Sequence, residues 1–298
     1  MPAFPPPRDQ PLTFDTALMA FSEVAERDRF FVNDVCVATV MHHERKTRRV
    51  YVLIHGLTNC PAQFQRIAKA LYAEGHNVLL PRMPYHGLTN RLSDEPGKLR
   101  LQGIAEWAAE AIEIARGLGD EVIVAGLSVN GSTAAWIAQN RPDVKRTVII
   151  SPFYALPGVP SFLQGSLGRL LVRLPNLFLW WDPNLKQELS GPSYAAPRFP
   201  TRLIGEFLVL GSAIKKASRK SAPACREIRV VLSEADIGID LATAKVITAR
   251  WKVWPERNVQ EIIFPADLKV PHDMVDPHQP DRQLEVAEPE LLRILKAD

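Results

Sequence analysis

The 298-residue chain is 46% hydrophobic and 23% charged with a formal net charge of +3, which excludes a chain disordered as a whole. Its basic residues are scattered rather than gathered in one stripe, so nucleic acid is not an expected partner. Cys36, Cys60 and Cys225 lie far apart, without the Cys-x-x-Cys spacing or the even count of a disulfide framework, and point to a reducing compartment.

No export signal is visible in the proline-rich leader, and the most apolar stretch, 162–181, is interrupted by Arg169, Arg173 and Pro175. The expectation is a cytoplasmic protein with no integral membrane segment; peripheral membrane contact stays open. Leu12, Ala17, Leu18, Phe21 and Val24 then recur at helical spacing and predict a helix over 12–28. The runs Val35 to Met41 and Val50 to Ile54, separated by the charged His42 to Arg49, predict a hairpin whose second strand is buried.

A helix follows over 61–73, with proline in its first turn, then a buried strand over 77–80 and an amphipathic helix over 99–116 closed by Gly117 and Gly119. Val122 to Ala125 is the next strand, turning through Gly126-Leu127-Ser128 into a helix, and a short strand over 147–150 ends at Ser151-Pro152. This alternation predicts an α/β fold with a mostly parallel central sheet and helices on both faces. From Pro152 to about Ala224 the rhythm breaks into a region rich in Pro, Leu and aromatics, with helical stretches near 162–174 and 201–218. It reads as a largely helical cap inserted into the sheet. Strands over 228–232 and 261–264, a helix over 241–251 and a terminal helix over 289–296 complete the chain. The expected division is a leader and helix over 1–34, a core of 35–151 with 225–298, and a cap over 152–224.

The turn at Ser128 organises the chemistry. In a nucleophile elbow a serine sits on a strained strand-to-helix turn, where its hydroxyl stands above the sheet and the next N–H faces the reacting carbonyl. Gly126 suits such a turn, whereas Asn130 stands where glycine is usual and is a candidate substrate contact. A serine hydroxyl needs a base, and the base an orienting acid. His272 and His278 follow the serine; His272, in the loop after the strand at 261–264, is the better placed. Asp236 directly follows a strand and is the candidate acid, with Asp240, a natural N-cap for the helix beginning at Leu241, as competitor and Glu234 third. Val129 and Leu57 are the candidate oxyanion donors. His55 and His86 precede the serine and read as structural. Metal binding by His272, Asp273, Asp276 and His278 fits none of the usual zinc spacings, and neither metal nor cofactor is expected.

Together, His55-Gly56-Leu57, Pro84-Tyr85-His86-Gly87, Gly126-Leu127-Ser128, Asp236 and His272 resemble the α/β-hydrolase superfamily, most closely its bacterial carboxylesterase and monoacylglycerol-lipase-like branch, from about Val50 to His278. The resemblance implies a serine hydrolase acting on carboxylic esters through an acyl-enzyme, with a small-molecule ester as its partner. Trp180 and Trp181 are candidate contacts for an apolar substrate, or else pack the cap onto the sheet. The same triad could serve an amide or a C–C bond. A binding protein that has lost the chemistry is the third reading, with Asn130 as its only hint. The oligomeric state is not legible.

Overall fold

The computed structural model describes residues 3–27, 29–186, 191–279 and 283–297. Residues 187–190, inside the expected cap, lie outside the described residues. After helix α1 (Phe14–Glu26), strands β1 (Thr39–Met41), β2 (Thr47–Ile54) and β3 (Asn77–Leu80) alternate with α2 (Gln65–Ala73) and lead to α3 (Leu101–Leu118). Next come β4 (Gly119–Leu127), α4 (Val129–Asn140) and β5 (Arg146–Ile150). The chain then leaves the sheet for α5 (Gln164–Arg173), a hairpin of β6 (Phe178–Trp180) and β7 (Arg198–Pro200), and α6 (Thr201–Ala217). It returns through β8 (Glu227–Ser233), α7 (Leu241–Lys252), β9 (Asn258–Phe264) and α8 (Leu284–Lys296).

The central sheet has seven strands in the order β1-β3-β2-β4-β5-β8-β9, all parallel except β1. Side chains alternate across a strand, and here both parities are apolar. Val50, Val52, Ile54, Val122, Val124 and Val230 meet α1, α3, α4, α6 and α7 on one face. Tyr51, Leu53, Ile123, Ala125, Leu127 and Val231 meet α2 and α8 on the other. A sheet covered on both faces needs such continuous apolar runs, which is why the strands were readable from sequence.

The first hairpin is a correction. β1 pairs antiparallel with β3, not with β2, whose two edges are taken by β3 and β4 in parallel register. The link from β1 to β2 crosses the foot of β3, where the Asn77 side chain accepts from the His43 N–H at 2.9 Å and donates to the Arg45 carbonyl at 2.8 Å. The terminal helix also starts five residues before Pro289, which sits inside it rather than in its first turn. Its last carbonyls are capped by arginines from the feet of the strands: Arg49 donates to Lys296 O at 2.7 Å and Arg146 to Leu295 O at 3.0 Å.

The cysteines are a second correction. Cys36 and Cys60 form a disulfide, which removes the ground on which their spacing pointed to a reducing compartment. Cys225 is free and buried. Among the described residues no helix is long and apolar enough to cross a membrane.

Candidate active site

The carboxyl ends of β2, β4, β5, β8 and β9 lie at one edge of the sheet, in register from Ile54 opposite Gly126 through Leu127 opposite Ile150 to Ser233 opposite Phe264. From β2 the chain passes to β3 on one side and then to β4 on the other, so the order reverses there and leaves the crevice in which open α/β sheets bind ligands. Ser128 stands at that point, between β4 and α4.

Its backbone is in a region that side-chain-bearing residues avoid, φ 62° and ψ −123°, at a cost of order 1–3 kcal/mol. Surrounding bonds over-determine the turn: Ser128 N donates to Ile150 O at 2.9 Å, and Ser128 O accepts from Phe153 N at 3.0 Å and Ser132 N at 3.1 Å. Gly126 is obligatory, because a Cβ there would lie 2.1 Å from Asn130 O.

The loops after β8 and β9 bring two partners to the serine. His272 Nε2 is 2.9 Å from Ser128 Oγ, and His272 Nδ1 is 2.8 Å from Asp236 Oδ2. The buried Asp236 also accepts from the Gly238 N–H at 2.7 Å. Burial alone would raise its carboxyl, but the bond to His272 and the charge there outweigh burial and hold it below the usual carboxylate range. Burial would likewise lower His272, but the bond and charge of Asp236, with the charge of Asp273, raise it above an ordinary histidine. Asp240 caps α7 instead, accepting from Thr243 N at 2.7 Å.

The turn after β2 faces the elbow. Among the described residues the Leu57 N–H makes no hydrogen bond, and the Val129 N–H belongs to the first turn of α4, where no intrahelical acceptor exists. Gly56, just before, is held at both ends: its N–H donates to Gln63 Oε1 at 2.7 Å and its carbonyl lies 2.9 Å from His55 Nδ1. His55 Nε2 accepts from Met83 N at 3.0 Å, so Nδ1 carries the proton and donates to Gly56 O. The histidine is a turn strut, as its place before the serine suggests.

Asn130 does not reach the cavity. It is fully buried, donates to His55 O at 2.6 Å and accepts from Thr133 Oγ1 at 2.9 Å, tying the elbow helix to the end of β2. The left-handed residue of this turn is the serine itself. Trp180 and Trp181 part company. Trp181 lines the cavity and donates through Nε1 to Thr58 Oγ1 at 2.9 Å, whereas Trp180 lies under Lys186 and away from the cavity wall. His278 bonds Tyr194 and Asp276 rather than the serine.

The cavity at Ser128 is about 300 Å³. Leu57, Leu127, Trp181 and Pro192 give it apolar walls, and Asn59, Gln63, Asp273 and Gln279 a polar edge. Asn59, Gln63 and Gln279 have no local signal in the sequence, and Asp273 enters there only as a metal ligand whose spacing does not fit. The sign that could have placed Asp273 at this edge is the pattern His272-Asp273-x-x-Asp276, two acids within one turn of the candidate base. The segment between β5 and β8 reaches the same place: besides Trp181, the Ala196 N–H donates to Thr58 O at 2.7 Å.

A family model described as the alpha/beta hydrolase family matches residues 51–291. A thermostable monoacylglycerol lipase of Bacillus sp. (strain H-257) is 27% identical over 121 residues, 39% of this chain and 45% of that protein. A pyrethroid hydrolase of Sphingobium wenxiniae is 26% identical over 109 residues, 36% of this chain and 37% of that protein. The match thus spans less than half of either curated relative. The crystal structure of a monoacylglycerol lipase from Paleococcus ferrophilus superposes with a TM-score of 0.65 at 17% identity, covering 87% of this chain and 97% of that one. At that identity the likeness is one of fold.

Proposed function

The chain belongs to the alpha/beta hydrolase family, and on that premise we propose that it is a serine hydrolase cleaving carboxylic esters with an apolar acyl or alcohol part. The observation that carries the reading is the continuous relay Ser128 Oγ, His272, Asp236, with links of 2.9 and 2.8 Å. In the proposed reaction Ser128 Oγ attacks the ester carbonyl carbon while His272 Nε2 takes its proton. Asp236 holds the imidazole with Nε2 toward the serine and stabilises the imidazolium that forms. The Leu57 and Val129 N–H groups receive the developing oxyanion; one such donor is worth roughly 3 kcal/mol in comparable sites. The tetrahedral intermediate collapses, His272 gives its proton to the departing alkoxide, and water repeats the sequence on the acyl-enzyme. No metal or cofactor enters these steps. Residues 152–224 act as a cap whose Trp181 and Pro192 close the apolar side of the cavity.

Ser128→Ala tests the reading. Turnover of p-nitrophenyl esters of graded chain length falls by at least about 10³-fold, and labelling by a serine-directed phosphonate disappears. Wild-type turnover in that variant would sink the proposal.

A further inference from the structure

We propose that the loop carrying His272 is clasped to the oxyanion turn by its own two carboxylates, Asp273 gripping Gln63 and Asp276 gripping Asn59, which makes Gln63 and Asn59 positioning residues for the transition state. This rests on the serine-hydrolase reading above. Each grip is a hydrogen bond between side chains more than 200 positions apart. Gln63 Nε2 donates to Asp273 Oδ2 at 2.7 Å, and Asn59 Nδ2 donates to Asp276 Oδ2 at 3.1 Å.

Both amides use their other end on the turn itself. Gln63 Oε1 accepts from the Gly56 N–H at 2.7 Å, and Asn59 Oδ1 from the Cys60 N–H at 2.8 Å. The turn thus hangs from the histidine loop at two points, one on each side of Leu57. That loop is itself stiffened, since Asp273 Oδ1 accepts from the Asp276 N–H at 3.1 Å.

Gln63 is almost fully buried. An apolar side chain of similar size would fill that space without needing two polar partners, so the glutamine's particular contribution is the pair of bonds it makes. Asp273 is saturated by Gln63, Gln279 and the N–H groups of Val275 and Asp276, which leaves it no lone pair for substrate. Asp276 is buried and also accepts from the Tyr194 hydroxyl at 2.8 and 2.9 Å, bringing a residue of the β5–β8 segment into the same clasp. The chemical need is plain. The Leu57 donor, the Val129 donor and His272 come from three separate segments, yet must meet one tetrahedral centre, and displacements near 1 Å cost about 10²-fold in rate.

Reversing the polarity of one grip tests the clasp. Gln63→Glu keeps an acceptor for Gly56 but sets a carboxylate against Asp273, and adding Asp273→Asn restores a donor between them. We expect kcat of Gln63→Glu on a medium-chain p-nitrophenyl ester to fall about 10- to 100-fold with KM changed less than about 3-fold. The Gly56 amide should exchange faster with deuterium. The Gln63→Glu/Asp273→Asn double variant should recover most of both losses. Unchanged kcat and exchange in the single variant, or a double variant no better than Gln63→Glu, overturns the clasp. Asn59→Asp with Asp276→Asn makes the same exchange on the second grip and decides the question if Gln63→Glu does not fold. Should Ser128→Ala leave wild-type turnover intact, the hydrolase reading fails by itself, and Gly56 exchange alone still decides the clasp.

Discussion

His55 and His86 are both buried, with ring centroids 6.1 Å apart beside the turn after β2. Burial, then the mutual charge of His86, lowers His55 to about 3; burial, opposed by the Pro84 carbonyl, lowers His86 to about 4. Each is neutral in the fold, and His55 must be, because its Nε2 accepts from Met83 N. Between pH 6.5 and these depressed values the unfolded chain binds protons that the folded chain does not, so stability is full above the unfolded pKa and falls as pH drops. With an unfolded histidine near 6.5, the loss between pH 7 and pH 5 is about 2 kcal/mol for each, about 4 kcal/mol together. Urea unfolding at the two pH values checks this, with His86→Asn expected to remove about half of the acid sensitivity. An unchanged midpoint at pH 5 would contradict the assignment. At the same scale, Asn130 shows how a residue type misleads. An asparagine beside a candidate nucleophile invites a substrate role, but only tertiary placement tells that its amide is spent on the His55 carbonyl.

Helices and strands were legible where a local pattern coincides with burial. The helices at 61–73, 99–116 and 241–251 are recognisable because their apolar residues recur at helical spacing, and the strands at 77–80 and 228–232 because they are short, nearly continuous apolar runs buried on both faces. What failed depends on distant partners. Nothing near Val35 to Met41 signals that β1 will pair with β3, and the β6/β7 hairpin is too short, three residues a side, to carry a period. The terminal helix, expected over 289–296, begins earlier because Leu284 is buried and Ala287 packs into the core beside Leu291 and Ile294. The α5–α6 pair illustrates a tertiary demand hidden in a composition that looks unfavourable for helix. A Cβ on Gly168 would lie 2.7 Å from Gly205 O, and one on Gly205 2.8 Å from Gly168 O, so the two backbones meet where neither has a side chain. An exposed helical glycine replaced by alanine gains up to about 1 kcal/mol; here overpacking of about 1–3 kcal/mol wins. Gly168→Ala and Gly205→Ala should each lower the unfolding midpoint. Gly103→Ala in α3, whose Cβ would meet only Leu99 Cδ1 at an ordinary 3.5 Å, should raise it. The opposite order in thermal unfolding would rule out backbone contact as the reason for these glycines.

For the whole molecule, the convergence of the candidate residues Ser128, Asp236 and His272 was legible because chain order in this topology carries spatial information. The strands end along one edge, so a serine after β4, an acid after β8 and a histidine after β9 converge without any local signal linking them. The amides of Asn59 and Gln63 were not legible, since their partners lie more than 200 residues away. The disulfide belongs to this scale too. Cys36 and Cys60, both fully buried, close a loop with a sequence separation of 24 and sit in a small satellite core with Val32, Ala62, Tyr194 and Ala195, apart from the two cores that flank the sheet. Val37 and Leu88 pack against this small core, and the covalent link adds to it in tying the segment at Cys36 to the turn after β2. A closed loop of this length restricts the unfolded chain by about 3 kcal/mol. At this size that corresponds to a fall in unfolding temperature of about 5 °C for the Cys36→Ser/Cys60→Ser variant. Calorimetry of that variant beside the wild type, both without reductant, measures the difference. Because Cys60 directly follows Asn59, the variant should also show faster amide exchange across residues 57–60 at temperatures where the wild type is fully folded. Equal unfolding temperatures and equal exchange would mean that the satellite core holds the turn without its cross-link.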